Sequence, residues 1–179
     1  MDAGLEIDIS GALAGLDALG KAAVEHLPRS MAVAGGKVLR DEAKARAPVY
    51  DGSTALKGGD TVKRVPGAAI LRNAIYLAYS ESRSNPANGI ATYSVSWNAA
   101  KAPHGHLLEF GHWWTNVIRN GYPLREAMPT AKWVPAHPTL RPTITAKGHE
   151  SVQVALERGR VRFAEIKANP AALDTYDVN

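Results

Sequence analysis

The chain has 179 residues, 45% of them hydrophobic and 21% charged, the proportions of a globular chain with one core rather than of a disordered one. It contains no cysteine, which excludes disulfides, thiolate zinc sites and thiol nucleophiles. The net charge of +4 comes from scattered cations, so it serves solubility as readily as contact with a nucleic-acid backbone.

In chain order, the opening "MDAGLEIDIS" has no basic flank and no long apolar run, so a cleaved signal is not expected. Leu5, Ile7 and Ile9 alternate with polar residues, the period of a half-buried strand. Ser10 suits the N-cap of a first helix carrying Leu13, Leu16 and Leu19 at helical spacing. Pro28 suits the first turn of a second helix running to about Ala45. On it Met31, Ala34 and Val38 form a narrow apolar stripe, while Lys37, Arg40, Asp41, Lys44 and Arg46 are expected in water. Ala32, Ala34, Gly35 and Gly36 would let another element approach closely, and Pro48 should end the helix.

From Tyr50 to about Gly67 the chain is rich in Gly and turn formers and lacks periodicity, so it reads as a long loop. Two strands follow, one with Ile75, Leu77 and Tyr79 alternating and one with Tyr93, Val95 and Trp97, joined antiparallel through the polar "SRSNPANG". A second irregular insertion is expected from about Thr115 to Lys132, and the proline-punctuated "WVPAHPTLRP" should be extended. Val152, Leu156, Gly159, Phe163 and Ile166 recur at helical spacing and are expected to be the packed face of a C-terminal helix. No stretch approaches the ~18 consecutive apolar residues of a membrane span.

The densest chemistry lies in "HGHLLEFGHWW", with His104, His106, His112 and Glu109 in eleven residues. His104, His106 and Glu109 could in principle hold a metal, but no H-E-x-x-H or other strong zinc spacing is present. No G-x-S-x-G, P-loop or G-x-G-x-x-G accompanies them, so acid–base catalysis lacks the rest of a site. Packing accounts for more of the residues. Leu107, Leu108 and Phe110 form an apolar patch, Gly111 terminates a short helix, and Glu109 can hold backbone donors or an arginine. Trp113 and Trp114 then suit anchors for another chain.

Taken together, four segments resemble the HK97 gp10-like phage proteins. They are "LRDEAKARAPVYDG" with Pro48 and Gly52, "LRNAIYLAY" with Leu71 and Arg72, "HLLEFGH" with Glu109, Phe110 and Gly111, and "VPAHPTLRPTI" with Pro138, Leu140, Arg141 and Pro142. Asp51 and His112 depart from the threonines usual in that pattern, and about twenty residues are inserted between Gly52 and Leu71 and again between Gly111 and Pro135. The resemblance implies an α+β subunit, a small antiparallel sheet packed against N-terminal helices and a long C-terminal helix. It would form one domain over residues 1–168, with loop insertions at about 50–68 and 113–132 and a tail at 169–179.

The function so implied is that of a structural, non-enzymatic subunit of a tailed-phage neck, without cofactor or metal, joining the portal-side connector to the tail. Its expected partners are further copies in a ring, a hexamer being favoured and a dodecamer possible, and the adjacent connector and tail-tube or tail-terminator proteins. Genomic DNA would pass through the lumen without sequence-specific contact, and no membrane is involved. Assembly is expected in the host cytoplasm and residence in the virion. Interaction residues are expected in the insertions: Lys57, Lys63 and Arg64 in the first, Trp113, Trp114, Arg119 and Tyr122 in the second. A tail-terminator ring protein is the nearest alternative. A small basic nucleic-acid-binding module is the alternative of another class, and steep salt dependence of binding would mark it.

Overall fold

A computed structural model describes residues 10–49, 70–119 and 122–169, with the backbone alone described at 116–119 and 122–129. The expected strand at Leu5–Ile9 and the expected loop from Tyr50 therefore lie outside the described residues, as do Gly52, Lys57, Lys63 and Arg64. The described elements are helix α1 (Ser10–Arg46), helix α2 (Ile70–Ala74), strands β1 (Ile75–Tyr79) and β2 (Tyr93–Trp97), helix α3 (Gly105–Phe110), strands β3 (His112–Arg119) and β4 (Tyr122–Val134), and helix α4 (Leu140–Ala168). The class is α+β, with two two-stranded sheets, β1–β2 and β3–β4, the latter pair antiparallel. The chain divides into two compact units, one formed by Met1–Val38, Ala78–Ser94 and His149–Asn179, the other by Leu39–Leu77 and Val95–Gly148.

In the first unit one expectation fails at Pro28. α1 is a single helix of 37 residues with Pro28 inside it, not two helices. An internal proline removes one N–H and costs about 3 kcal/mol, and the carbonyl it deprives is that of Val24. That carbonyl is covered by the β1–β2 connection: a Cβ on Gly89 would lie 3.6 Å from the Val24 oxygen and 3.8 Å from the Pro28 ring. Gly89 reaches there in a left-handed conformation, φ 67° and ψ 27°, closing the turn Pro86–Asn88. Asn85 and Ile90 exchange backbone hydrogen bonds of 2.8 and 2.9 Å at its base. The Ser84 hydroxyl accepts from the Thr92 amide at 2.8 Å. The polar residues that read as a turn thus satisfy its backbone.

The packed face of α4 matches the expected one at Gly159 and Ile166 and departs from it elsewhere. Ser151, Gly159, Arg162 and Ile166 are buried, whereas Val152, Leu156 and Phe163 are 57%, 51% and 44% exposed. Small residues decide this. A Cβ on Gly35 would stand 2.9 Å from the Ser151 carbonyl and 3.3 Å from Ala155, and one on Gly159 would stand 2.8 Å from the Met31 sulfur. The Ser151 hydroxyl donates to the Gly35 carbonyl at 2.9 Å. The close approach expected along Ala32–Gly36 occurs at Gly35, and it selects the small-residue stripe of α4. Bulkier side chains on that stripe would hold the two backbones apart. Ala22 and Ile166, with Leu19, Ala23 and Leu27 against them, form this unit's apolar cluster.

Glu165 lies beside that stripe and accepts from Arg158 and Arg162, each at 2.8 Å. The hydrogen bond from Arg158, then that from Arg162, holds its carboxyl below the usual carboxylate range. A pKa depressed in the folded state gives stability that is present above the unfolded value and lost as pH falls through the folded one. Glu165→Gln is expected to cost about 0.5–1 kcal/mol at neutral pH, because the group is partly exposed. It should also flatten the acid limb of a stability–pH profile. An acid limb identical to the wild type's would refute the assignment.

In the second unit Ala43, Ala47, Leu71, Ala74, Ile75 and Ala102 form the buried cluster, with Val95, Trp97, Leu108 and Leu140 packed on it. Burying Leu71 and Ile75 contributes about 1.5–3 kcal/mol each. The Trp97 indole lies against the start of α3, where a Cβ on Gly105 would sit 2.6 Å from its Cε2.

The segment 113–132, expected to be irregular, is most of an antiparallel hairpin. β3 has 8 residues and β4 has 13, pairing His112 with Val134, Trp113 with Trp133 and Trp114 with Lys132, and ending with Arg119 opposite Tyr122. Register shifts fall between Trp114 and Asn116 and between Asn116 and Ile118. Pro123 and Pro129 in β4 argue against a strand when the sequence is read alone, since proline cannot donate to a ladder. A two-stranded hairpin tolerates them because each strand has a free edge.

Candidate functional site

The motif residues close on one another in pairs, all within the second unit. α1 ends at Arg46, before Pro48 as expected, leaving carbonyls with no helical donor. The Arg72 guanidinium donates to the Ala45 and Ala47 carbonyls at 3.4 and 3.3 Å, while its neighbour Leu71 is buried in the core. The Ala-Pro and Leu-Arg segments, 25 residues apart, are thus one helix terminus and its cap.

The second pair is tighter. Glu109 is 4% exposed. Its carboxylate accepts from the amides of Thr139 at 2.7 Å, Leu140 at 3.1 Å and Arg141 at 3.1 Å. Those are the free N–H groups at the start of α4, so a side chain from α3 caps a helix begun thirty residues later, where the helix dipole also favours negative charge. Arg141 returns the contact. Its Nη2 donates to the Glu109 carbonyl at 3.3 Å, and its Nε lies 3.7 Å from the Glu109 carboxylate. With the arginine mostly exposed, that ion pair adds little beside the amides.

Phe110, expected in an apolar patch, is 60% exposed, and the Arg141 guanidinium lies 4.7 Å above its ring. Gly111 ends α3 as expected, with positive φ but extended ψ (73° and 172°), a conformation open essentially to glycine alone. Leu140, Arg141 and Pro142 form the first turn of α4 rather than an extended approach to it. Proline is tolerated there because those N–H groups have no helical acceptor. Pro138 and Pro48 are exposed.

The three histidines do not converge. His104 sits at the N-cap of α3 without a side-chain capping bond, His106 is exposed and His112 half-buried. Among the described residues no group of three or more His, Cys, Asp or Glu could hold a metal ion. The Glu109 carboxylate is occupied by amides. What the stretch presents outward is aromatic. Trp113 is 61% exposed, Trp114 39% and Trp133 49%, and the rings of Trp113 and Trp133 meet edge to face at 5.3 Å. Trp133 was not among the expected interaction residues, because its pairing depends on the hairpin. The signal for that hairpin was Asn120-Gly121, the strongest short-range mark of a two-residue β-turn. Of Arg119 and Tyr122 the backbone pairing alone is described.

The chain is α+β, its motif residues join helix ends, and its β3–β4 hairpin exposes tryptophans. It belongs to the HK97-gp10-like family, the bacteriophage HK97-gp10 tail components, whose family model matches residues 12–111, more than half of the chain. The match ends at Gly111, so the Leu140-Arg141-Pro142 segment is tied to it by the Glu109 contacts rather than by the matched residues. No curated protein and no solved structure matches the chain. The family makes the chain a structural component of a phage tail, and so of the virion. No helix among the described residues is long and apolar enough to cross a membrane.

Proposed function

We propose that the chain is a ring subunit at the head–tail junction of a tailed phage, a tail-completion or connector protein that assembles in the host cytoplasm. Its partners are further copies of itself and the adjacent connector and tail-tube or tail-terminator proteins, with DNA passing through the ring without base-specific contact. The family membership supports the tail component. The observation that carries the assembly role is the β3–β4 hairpin with Trp113, Trp114 and Trp133 on it. A two-stranded hairpin is marginal in water by itself, and clustered exposed indoles are the usual material of an interface anchor. On this reading the residues of the first insertion, Lys57, Lys63 and Arg64, face an adjacent component as well.

Trp113→Ala is expected to leave the subunit folded while weakening assembly by about 2 kcal/mol, roughly thirtyfold. Sedimentation of the purified chain, with cryo-electron microscopy of particles that carry it, reads both. A wild-type chain that stays monomeric at every concentration, and is found away from the neck in particles, would overturn the proposal.

A further inference from the structure

Among the described residues of the first unit two apolar surfaces are exposed, and they differ in charge. One is a groove of about 620 Å³ walled by Leu16, Gly20 and Val24 of α1 and by Pro86 and Ala87 of the β1–β2 connection. Leu16 is 66% exposed and Val24 42%. Leu13, one turn before Leu16, extends the apolar line and is also exposed. The rim carries Asp17, Lys21 and Glu25. Lys21 is held by Asp17 at 2.8 Å, so the balance of the rim is acidic.

The other surface is the flank of α4 beside the small-residue stripe that packs on α1. At 100° per residue, Val152, Leu156 and Phe163 fall within about 40° of one another, and all three are exposed. Arg160 and Lys167 are exposed along the outer edge of that stripe, with Arg160 also reaching Glu157 at 3.1 Å. An apolar helix ridge with anchors one and two turns apart is what an apolar groove accepts. The basic edge of the ridge answers the acidic rim of the groove.

Both surfaces belong to the same unit, and in it neither covers the other. Each surface can therefore meet the other on a second copy. We infer that the α4 stripe Val152–Leu156–Phe163 of one subunit seats in the Leu16–Val24 groove of the next, giving a head-to-tail contact between unlike surfaces. Such a contact closes into a ring when the rotation between subunits allows. The inference rests on the ring-subunit reading and names the surfaces that would build the ring.

The test uses the full-length chain and native mass spectrometry with sedimentation velocity. Leu16→Asp and Leu156→Asp each alter an exposed side chain, so each variant should melt within a few degrees of the wild type, yet each alone should lose the oligomer. Mixed in equal amounts they should form a dimer that grows no further, because one variant keeps its ridge and the other its groove. Asp17→Lys with Glu25→Lys should weaken assembly at least tenfold, and adding Arg160→Glu with Lys167→Glu should restore it. A wild-type oligomer that both aspartate variants still form would overturn this inference and leave the ring reading standing. Variants that lose the oligomer singly but give no dimer when mixed would overturn it too, since the two faces would then meet other surfaces. A wild-type chain that never assembles would overturn both.

Discussion

Glu109→Ala is expected to destabilise the chain by about 3–5 kcal/mol, read as a shift of the denaturant midpoint at unchanged slope. The residue makes three hydrogen bonds to amides at the start of α4, at 2.7, 3.1 and 3.1 Å, and hydrogen bonds to a charged acceptor are worth about 1.5–3 kcal/mol each without being additive. Removing the carboxylate strands those donors in a site that water reaches poorly. Glu109→Gln keeps an acceptor oxygen without the charge, so its loss should fall between alanine and wild type. If alanine and wild type unfold together, the Glu-Phe-Gly and Leu-Arg-Pro segments are neighbours without being a joint. Arg141→Ala should cost much less, because that side chain is 61% exposed and its carboxylate distance is 3.7 Å.

The second large effect is expected at Gly111. Its φ of 73° is one that L side chains avoid, and an added Cβ would stand 2.7 Å from the Trp133 ring, 2.8 Å from the Val134 carbonyl and 3.0 Å from the Ala136 amide. Two of those three neighbours are backbone atoms, which cannot rotate away. Gly111→Ala should therefore cost about 3 kcal/mol or more, strain and overpacking each contributing about 1–3. Near-ultraviolet circular dichroism should change as well, because Trp133 must leave its place against Trp113. An alanine variant with wild-type stability and an unchanged tryptophan spectrum would show that the turn can be made another way.

Local signals explain what was legible. β1 and β2 alternate over five residues each and are bounded by Ser, Asn, Pro and Gly, so their strands and their turn could be read directly. Pro48 ended α1, and Gly111 ended α3, because each acts through its own backbone geometry. Glu109 could be assigned to backbone donors or an arginine, since a lone carboxylate in an apolar patch needs such partners. Which donors it meets depended on a helix start thirty residues away. The hairpin at 112–134 was hidden by Pro123 and Pro129, although Asn120-Gly121 marked it.

Helical periodicity narrows α4 to a few possible faces but does not choose among them. The face through Val152, Leu156, Gly159, Phe163 and Ile166 reads as core; Gly159 and Ile166 of it do pack, but together with Ser151 and Arg162 rather than with Val152, Leu156 and Phe163. The choice was made at Gly35, where the backbone of α4 comes too close for any side chain larger than hydrogen. Close packing rewards contact across the whole length of two helices rather than the burial of the largest residues. In the same way Pro28 marks a helix start when the sequence is read alone, and becomes an interior residue once Gly89 and its turn cover the carbonyl it left bare. The sequence by itself determined the class of the fold, the strands of the first hairpin, the helix ends and the family, because each rests on residues near one another or on a motif order. Only the tertiary structure decided where α1 runs through its proline, which face of α4 is core and which carboxylate closes which helix, because those depend on distances between segments that no local pattern encodes.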